Sequence, residues 1–182
     1  MTPQEVWQVY CGKQPVIDIG CGWHIVFSFD YVRFDKASQI LSQKTCVNHY
    51  GDFHDMSNFA DNTFAFVNAT HVIEHAEFPE RALSEWLRIL QAGGVINLTW
   101  PDLDVGDRGK IEELKKAVDR GDLETYRALG GDLAWVSLDK DGKKMLDVHY
   151  NRITLNDMKK YLGEKVVVLA EGIEFLIARK VY

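Results

Sequence analysis

Apolar residues fall in short uninterrupted runs along the first hundred positions. Val16-Ile17-Asp18-Ile19 follows Pro15 and ends at Gly20-Cys21-Gly22. A run this short, largely apolar on both alternating faces and stopped by glycines, predicts a buried parallel strand. A second strand is predicted over 31–34, closed by Asp35, and a short third over 47–50, before Gly51-Asp52. Asp61-Asn62 supplies a turn, and 63–68 follows as a fourth strand. At Pro79 the period changes. Ala82, Leu83, Trp86, Leu87 and Leu90 recur at helical spacing, and proline suits the first helical turn. Gly93-Gly94 ends this helix, and 95–100 is predicted as a fifth strand, stopped by Pro101. Strand, helix and strand thus alternate as parallel βαβ units do.

Two segments break this rhythm. The link 23–30 is too short for a full crossover helix, which takes a dozen or more residues, so a loop or single turn is expected there. Residues 103–148 carry a polar helix near 110–120, a shorter one near 123–129 and a hairpin turning at Asp139-Lys140-Asp141-Gly142. They are expected to form a substrate-side insertion packed over one end of the sheet. Thr154-Leu155-Asn156-Asp157 resembles a capping box and predicts a helix to about Leu162. Strands over 166–170 and 174–179 flank a turn at Glu171-Gly172, a link short enough to make them antiparallel. The expected fold class is α/β: a mostly parallel sheet with helices on both faces, a C-terminal antiparallel strand and a reduced first crossover helix. Residues 1–182 are expected to form one domain.

Composition narrows the partners. The chain has 182 residues, 46% hydrophobic and 26% charged, ordinary values for a globular protein. Its formal net charge of −6 repels a phosphate backbone on average, so nucleic acid is not an expected partner. Lys110, Lys115, Lys116 and Arg120 are interleaved with Glu112, Glu113 and Asp119 and read as a solvated helix surface. Three cysteines with no C-x-x-C pair fit reduced thiols and a cytoplasmic location. The first ten residues have no signal-peptide pattern, and no apolar stretch approaches the roughly 20 residues that span a bilayer.

Candidate chemistry gathers at the carboxyl ends of the predicted strands, where open α/β sheets bind ligands. Gly20 and Gly22 allow a sharp turn close to a ligand. Asp35 can accept hydrogen bonds from both hydroxyls of a ribose. Asp55 and Met56 offer an amide-accepting carboxylate and a soft apolar surface to an adenine ring. Ala69, Thr70 and His71 follow the fourth strand. A dinucleotide would call for glycine at position 25, where Ile25 stands, and the short link leaves little room for a pyrophosphate-binding helix.

Asp18-Ile19-Gly20-Cys21-Gly22 resembles the first motif of class I S-adenosylmethionine-dependent methyltransferases, of the type 11 kind. Gly51 to Ser57, the run DNTFAFVNATHVIEH from Asp61, the helix from Pro79 and Gln91-Ala92-Gly93-Gly94 continue that pattern in order. Trp100-Pro101-Asp102-Leu103-Asp104 and the later His149 are similar to a subgroup of small methyltransferases linked with sugar and cell-surface polysaccharide pathways. The resemblance implies a Rossmann-like fold and S-adenosyl-L-methionine as cofactor. It implies that Gly20 and Gly22 pass its methionine part, with Asp18 supporting the loop. It implies that Asp35 holds the ribose, Asp55 and Met56 the adenine, and Ala69, Thr70 and His71 the sulfonium end. Trp23-His24 departs from the further glycine of many members.

Methyl transfer needs alignment of two reactants more than protein chemistry, but a hydroxyl acceptor also needs a base. His71, His75, His149 and Asp102 are the candidates, with His71 first because it falls at the carboxyl edge of the sheet, while His75 is rather expected to pack or cap the turn before Pro79. The acceptor is expected to be a small molecule or a sugar or glycan, with Trp100, Tyr126, Trp135 and Tyr150 as possible walls. Two other readings stand beside this one. The eroded first crossover suits a non-catalytic binding module or partner subunit. His71-Val72-Ile73-Glu74-His75 also spells H-x-x-E-H, a zinc hydrolase pattern when helical. Under the methyltransferase reading no metal site is expected.

Overall fold

The structure is a computed structural model that describes residues 1–40, 43–101, 113, 116–117, 120–129, 134–151 and 153–182. Strands β1 (Val16–Ile19), β2 (Val32–Asp35), β5 (His49–Tyr50), β6 (Phe64–Thr70) and β7 (Leu90–Thr99) pair in parallel. Strands β10 (Val166–Gly172) and β11 (Phe175–Lys180) close one side as an antiparallel pair, with β11 antiparallel to β7. The order is β10-β11-β7-β6-β1-β2-β5. The chain moves outward from β1 to β2 on one side and returns to β6 on the other, so the β1–β6 boundary is the switch point where such sheets bind ligands.

Alternation sorts the side chains of this sheet onto two faces. On one, Ile17, Ile19, Val67, Ile96 and Leu98 pack against Leu83, Trp86 and Leu87 of α2 (Pro79–Ile89) and Met158 and Leu162 of α4 (Leu155–Leu162). Thr154 caps α4 in the expected box with Asp157. On the other face, Val16, Phe66, Val95 and Ile177 meet Val6 of α1 (Pro3–Tyr10) together with Phe27 and Tyr31. Helices therefore cover both faces. The apolar pattern does not reveal α1; its signal is the Thr2–Glu5 capping box.

No helix forms over 23–30. Aromatic rings take its place: Phe27 stacks edge-on to Tyr31 at 4.9 Å and to Phe66 at 6.0 Å. The expected fifth strand starts earlier, at Leu90, because Gly93-Gly94 forms an irregularity inside the strand rather than a loop; pairing jumps from Phe64–Leu90 to Phe66–Val95. A Cβ on Gly94 would sit 2.8 Å from Leu90 Cδ1 and 3.0 Å from the Ala65 carbonyl.

A second sheet was outside the sequence expectation. Strands β3 (Ala37–Ile40), β4 (Gln43–Lys44), β8 (Ala134–Asp139) and β9 (Lys144–Val148) lie in the order β4-β3-β8-β9, all antiparallel. The hairpin at 139–142 is present, but it adds to β3 rather than lying on the main sheet. The short helix near 123–129 is α3 (Leu123–Ala128). Of the polar helix near 110–120, only Glu113, Lys116 and Ala117 are described as helical. Among the described residues, no helix is long and apolar enough to cross a membrane.

Candidate active site

Beyond β1 the chain turns through Gly20 (φ +67°) and Gly22 (φ +53°), conformations that favour glycine. Gly20 N donates to the Phe34 carbonyl at 2.7 Å. Space is as restrictive as φ, since a Cβ on Gly20 would meet Val72 Cγ2 at 2.3 Å. Asp35, at the end of β2, braces the loop: Oδ2 accepts from Gly22 N and Oδ1 from Ala37 N, both at 3.0 Å. A carboxylate oxygen accepts two hydrogen bonds, so the same side chain can also take a ribose hydroxyl.

Behind the loop lies a buried polar row. Asp18 Oδ1 accepts from Asn68 Nδ2 at 2.6 Å, and Asn68 Oδ1 accepts from Asn97 Nδ2 at 2.7 Å. The three residues are in register across β1, β6 and β7. Burial pushes the Asp18 carboxyl up to about 7, helped by the charge of Asp35 and opposed by the Asn68 bond. Asp18 thus sits under the loop and does not line the cavity.

The cavity has a volume of about 410 Å³, within the ~300–1,000 Å³ range of small-molecule sites. It is lined by Gly20, Cys21, Gly22, Trp23, His24, Asp35, Lys36, Ile40 and Phe53 from the first half of the domain, and by His71, Val72, Glu74, His75, Pro101 and His149 from later in the chain. Cys21 is buried, and desolvation holds its thiol well above the ordinary range, so it stays protonated.

The expected Asp55-Met56 pair does not line this cavity. Met56 is fully buried in the core, and Asp55 faces a separate cleft with Ser84 and Arg88. The same motif offers Phe53 instead, three residues earlier than Met56, with Lys36 Nζ 5.9 Å from its ring centroid. Asp52 lines the adjoining cleft of about 490 Å³, its carboxyl held down to about 2 by His54. The spacing of the motif is legible in sequence; which of its residues turn inward depends on the tight Asp52–Asp55 bridge.

Ala69 is buried in β6. Thr70 lines a third cavity, of about 440 Å³, on the α1 face, with Asn97, Thr99, Trp100 and Glu174. His71 lines both this cavity and the first. Its backbone is left-handed (φ +55°), a strained state for a non-glycine residue and one that recurs at functional sites. His71 N donates to the Thr99 carbonyl at 3.0 Å. Its Nδ1 stands 3.6 Å from Glu74 Oε1, and that carboxylate holds the imidazole above its ordinary pKa.

His149 is buried and meets His75 edge-on, with ring centroids 4.6 Å apart. Asp102 lies outside the described residues. Trp100 is buried along the third cavity, Tyr126 donates to the His149 carbonyl at 3.3 Å, and Tyr150 lines the second cleft. Trp135 falls in β8. The zinc hydrolase pattern lacks its helix. Only Ile73–His75 form a single 3₁₀ turn, with His71 outside it, so His71 and His75 do not share a helical face.

An adenosine bearing a methionine suits this cavity. The glycine loop leaves a surface without Cβ atoms, Asp35 stands beside it, and Phe53 supplies a flat apolar wall. Gly20, Gly22, Asp35 and Phe53 are the residues that would hold it. Residues 17–98 match the model of the methyltransferase domain family. No curated protein sequence matches the chain. Among solved structures, the chain is similar to a protein of Pyrococcus horikoshii OT3, with 18% identity over 98% of this chain and 88% of that one and a TM-score of 0.57. It is similar to a SAM-dependent methyltransferase from Methanosarcina mazei, with 16% identity over 91% and 92% and a TM-score of 0.51. A third, an S-adenosylmethionine-dependent methyltransferase from Mesorhizobium loti, is 10% identical over 91% and 90%, with a TM-score of 0.51. Motif order, sheet topology and the family match converge: residues 17–98 carry the pattern of a methyltransferase domain, and the chain has the fold of S-adenosylmethionine-dependent methyltransferases.

Proposed function

We propose that this methyltransferase acts on a hydroxyl of a small polar acceptor, a sugar or glycan unit being the class that fits best. The observation that carries this reading is the shared lining of the first cavity, where the glycine loop and Asp35 occur together with His71, His75, His149 and the buried Glu74. Bound S-adenosylmethionine would supply an activated methyl group to a nucleophile in line with the departing sulfur.

The chain's own residues then have three tasks. Gly20, Gly22, Asp35 and Phe53 bind and orient the cofactor. His71 is the general base: Nδ1 faces Glu74, which leaves Nε2 as the atom that takes the acceptor proton. Glu74 orients the ring and stabilises the imidazolium, as a carboxylate behind a catalytic histidine does. The third cavity, beside Thr70, Trp100 and Glu174, is a second route to His71 and suits the larger part of an acceptor. The hairpin of β8 and β9 belongs to the substrate-side insertion.

The test has two parts. Calorimetry with S-adenosylmethionine asks whether the site loads; no binding at millimolar cofactor would remove the enzyme reading in favour of a binding module. Release of the demethylated cofactor is then followed with a panel of sugars and nucleotide sugars. His71→Gln is expected to lower turnover about 100-fold, the lower end of general-base effects, with cofactor affinity nearly unchanged. Full turnover in His71→Gln would sink the base assignment.

A further inference from the structure

Glu74 is buried deeper than its charge allows without compensation. Its side chain is 3% exposed, and among the described residues neither carboxylate oxygen has a hydrogen-bond partner. Among the described residues no lysine or arginine pairs with it, and the His71 imidazole stands 3.6 Å away. An isolated carboxylate in such a place costs several kcal/mol.

Two imidazoles stand against it. The ligand atoms of Glu74, His75 and His149 all lie within 4.8 Å of one another. Three donors at 2.0–2.2 Å from a common ion are separated by roughly 3–4 Å, so a small contraction completes the set. The backbone holds the two contributing segments together. Tyr150 N and Asn151 N both donate to the Glu74 carbonyl, at 2.9 and 3.2 Å, and Asn151 Nδ2 donates to the Ala76 carbonyl. His149 is thereby held beside the 3₁₀ turn that carries Glu74 and His75, as a preorganised donor set must be.

We propose that Glu74, His75 and His149 form a divalent-cation site in the floor of the cavity. Two imidazoles and one carboxylate suit manganese, iron, cobalt or zinc. Three protein ligands leave positions open, and those positions take oxygen atoms of the acceptor. The ligand class is therefore a compound with two adjacent oxygens, such as a vicinal diol. This second half rests on the hydroxyl-acceptor reading above; the metal site itself does not. Both roles of Glu74 are compatible, with one oxygen toward His71 and the other toward the ion.

The test uses the whole chain, stripped with a chelator and free of cofactor. Titration with cobalt(II), followed by visible absorption, and with manganese(II) and zinc(II), by calorimetry, is expected to show one ion per chain. Glu74→Gln and His149→Ala, each checked for folding by circular dichroism, are expected to weaken binding at least about 100-fold, in line with the loss of a metal ligand. No uptake of any of the three ions at millimolar concentration, or uptake unchanged in a folded variant of either kind, overturns the site. Cofactor calorimetry on the same samples separates the two claims. Metal uptake with no cofactor binding would leave the site standing and remove the methyltransferase reading.

Discussion

Asp35 accepts hydrogen bonds from the backbone amides of Gly22 and Ala37, and under the proposed function it also takes a ribose hydroxyl of the cofactor. Hydrogen bonds to a charged group contribute about 1.5–3 kcal/mol, so Asp35→Ala is expected to weaken S-adenosylmethionine about 10- to 100-fold by calorimetry. Unchanged affinity would exclude the ribose role. Gly20 is restricted by φ and by Val72 at once. Gly20→Ala is expected to destabilise the fold by about 1–3 kcal/mol in urea unfolding. Adding Val72→Ala should recover only the steric part, because the left-handed backbone remains. Asp18 predicts a pH effect. Its carboxyl is raised from 3.8 to about 7 in the folded chain, so the native state holds more protons between those values. Its stabilising contribution is complete below about pH 4 and is lost as pH rises to 7, with a slope of at most about 1.4 kcal/mol per unit. Asp18→Asn should flatten that part of the stability profile, measured by denaturant midpoints; an unaltered profile would place the perturbation elsewhere.

At the scale of elements, the missing first crossover helix is the main departure from a regular βαβ unit. Phe27 and Tyr31 cover Val16 and Phe66 where a helix would otherwise pack. Phe27→Ala should therefore cost about 3 kcal/mol, as large-to-small changes in a full core do, and denaturant unfolding measures it. A loss under 1 kcal/mol would mean that the loop only drapes over the sheet. The 3₁₀ turn Ile73–His75 is the other deciding element. It is too short to display H-x-x-E-H on one helical face, and it turns His75 toward His149 instead.

For the whole molecule, ligand binding and stability are linked by mass action. Cofactor at 100 times its dissociation constant adds about 2.7 kcal/mol, so thermal unfolding should move upward with cofactor concentration. Asp35→Ala should need a proportionally higher concentration for the same shift. The two sheets meet through Asp35 and Ala37, which end β2 and begin β3. Cofactor should accordingly also slow hydrogen exchange in β3, and exchange unchanged there would uncouple the second sheet from the site.

By itself the sequence determined the five strands of the parallel core, the helix from Pro79, the capped helix after Thr154 and the glycine loop after the first strand. Each of these is written in contiguous residues: apolar runs, a capping box, glycines at a strand end. Local patterns also brought Asp35 and His71 to the cavity, because both end predicted strands. Tertiary structure decided what depends on partners distant in the chain. It paired β3 with β8, since edge hydrogen bonds carry no signature in either strand. It turned Phe53 rather than Met56 into the cavity, because a tight turn sets which side chain faces the ligand. It also placed His149 against Glu74 and His75, a meeting across some seventy positions that rests on two backbone amides reaching one carbonyl and that no spacing in the sequence records.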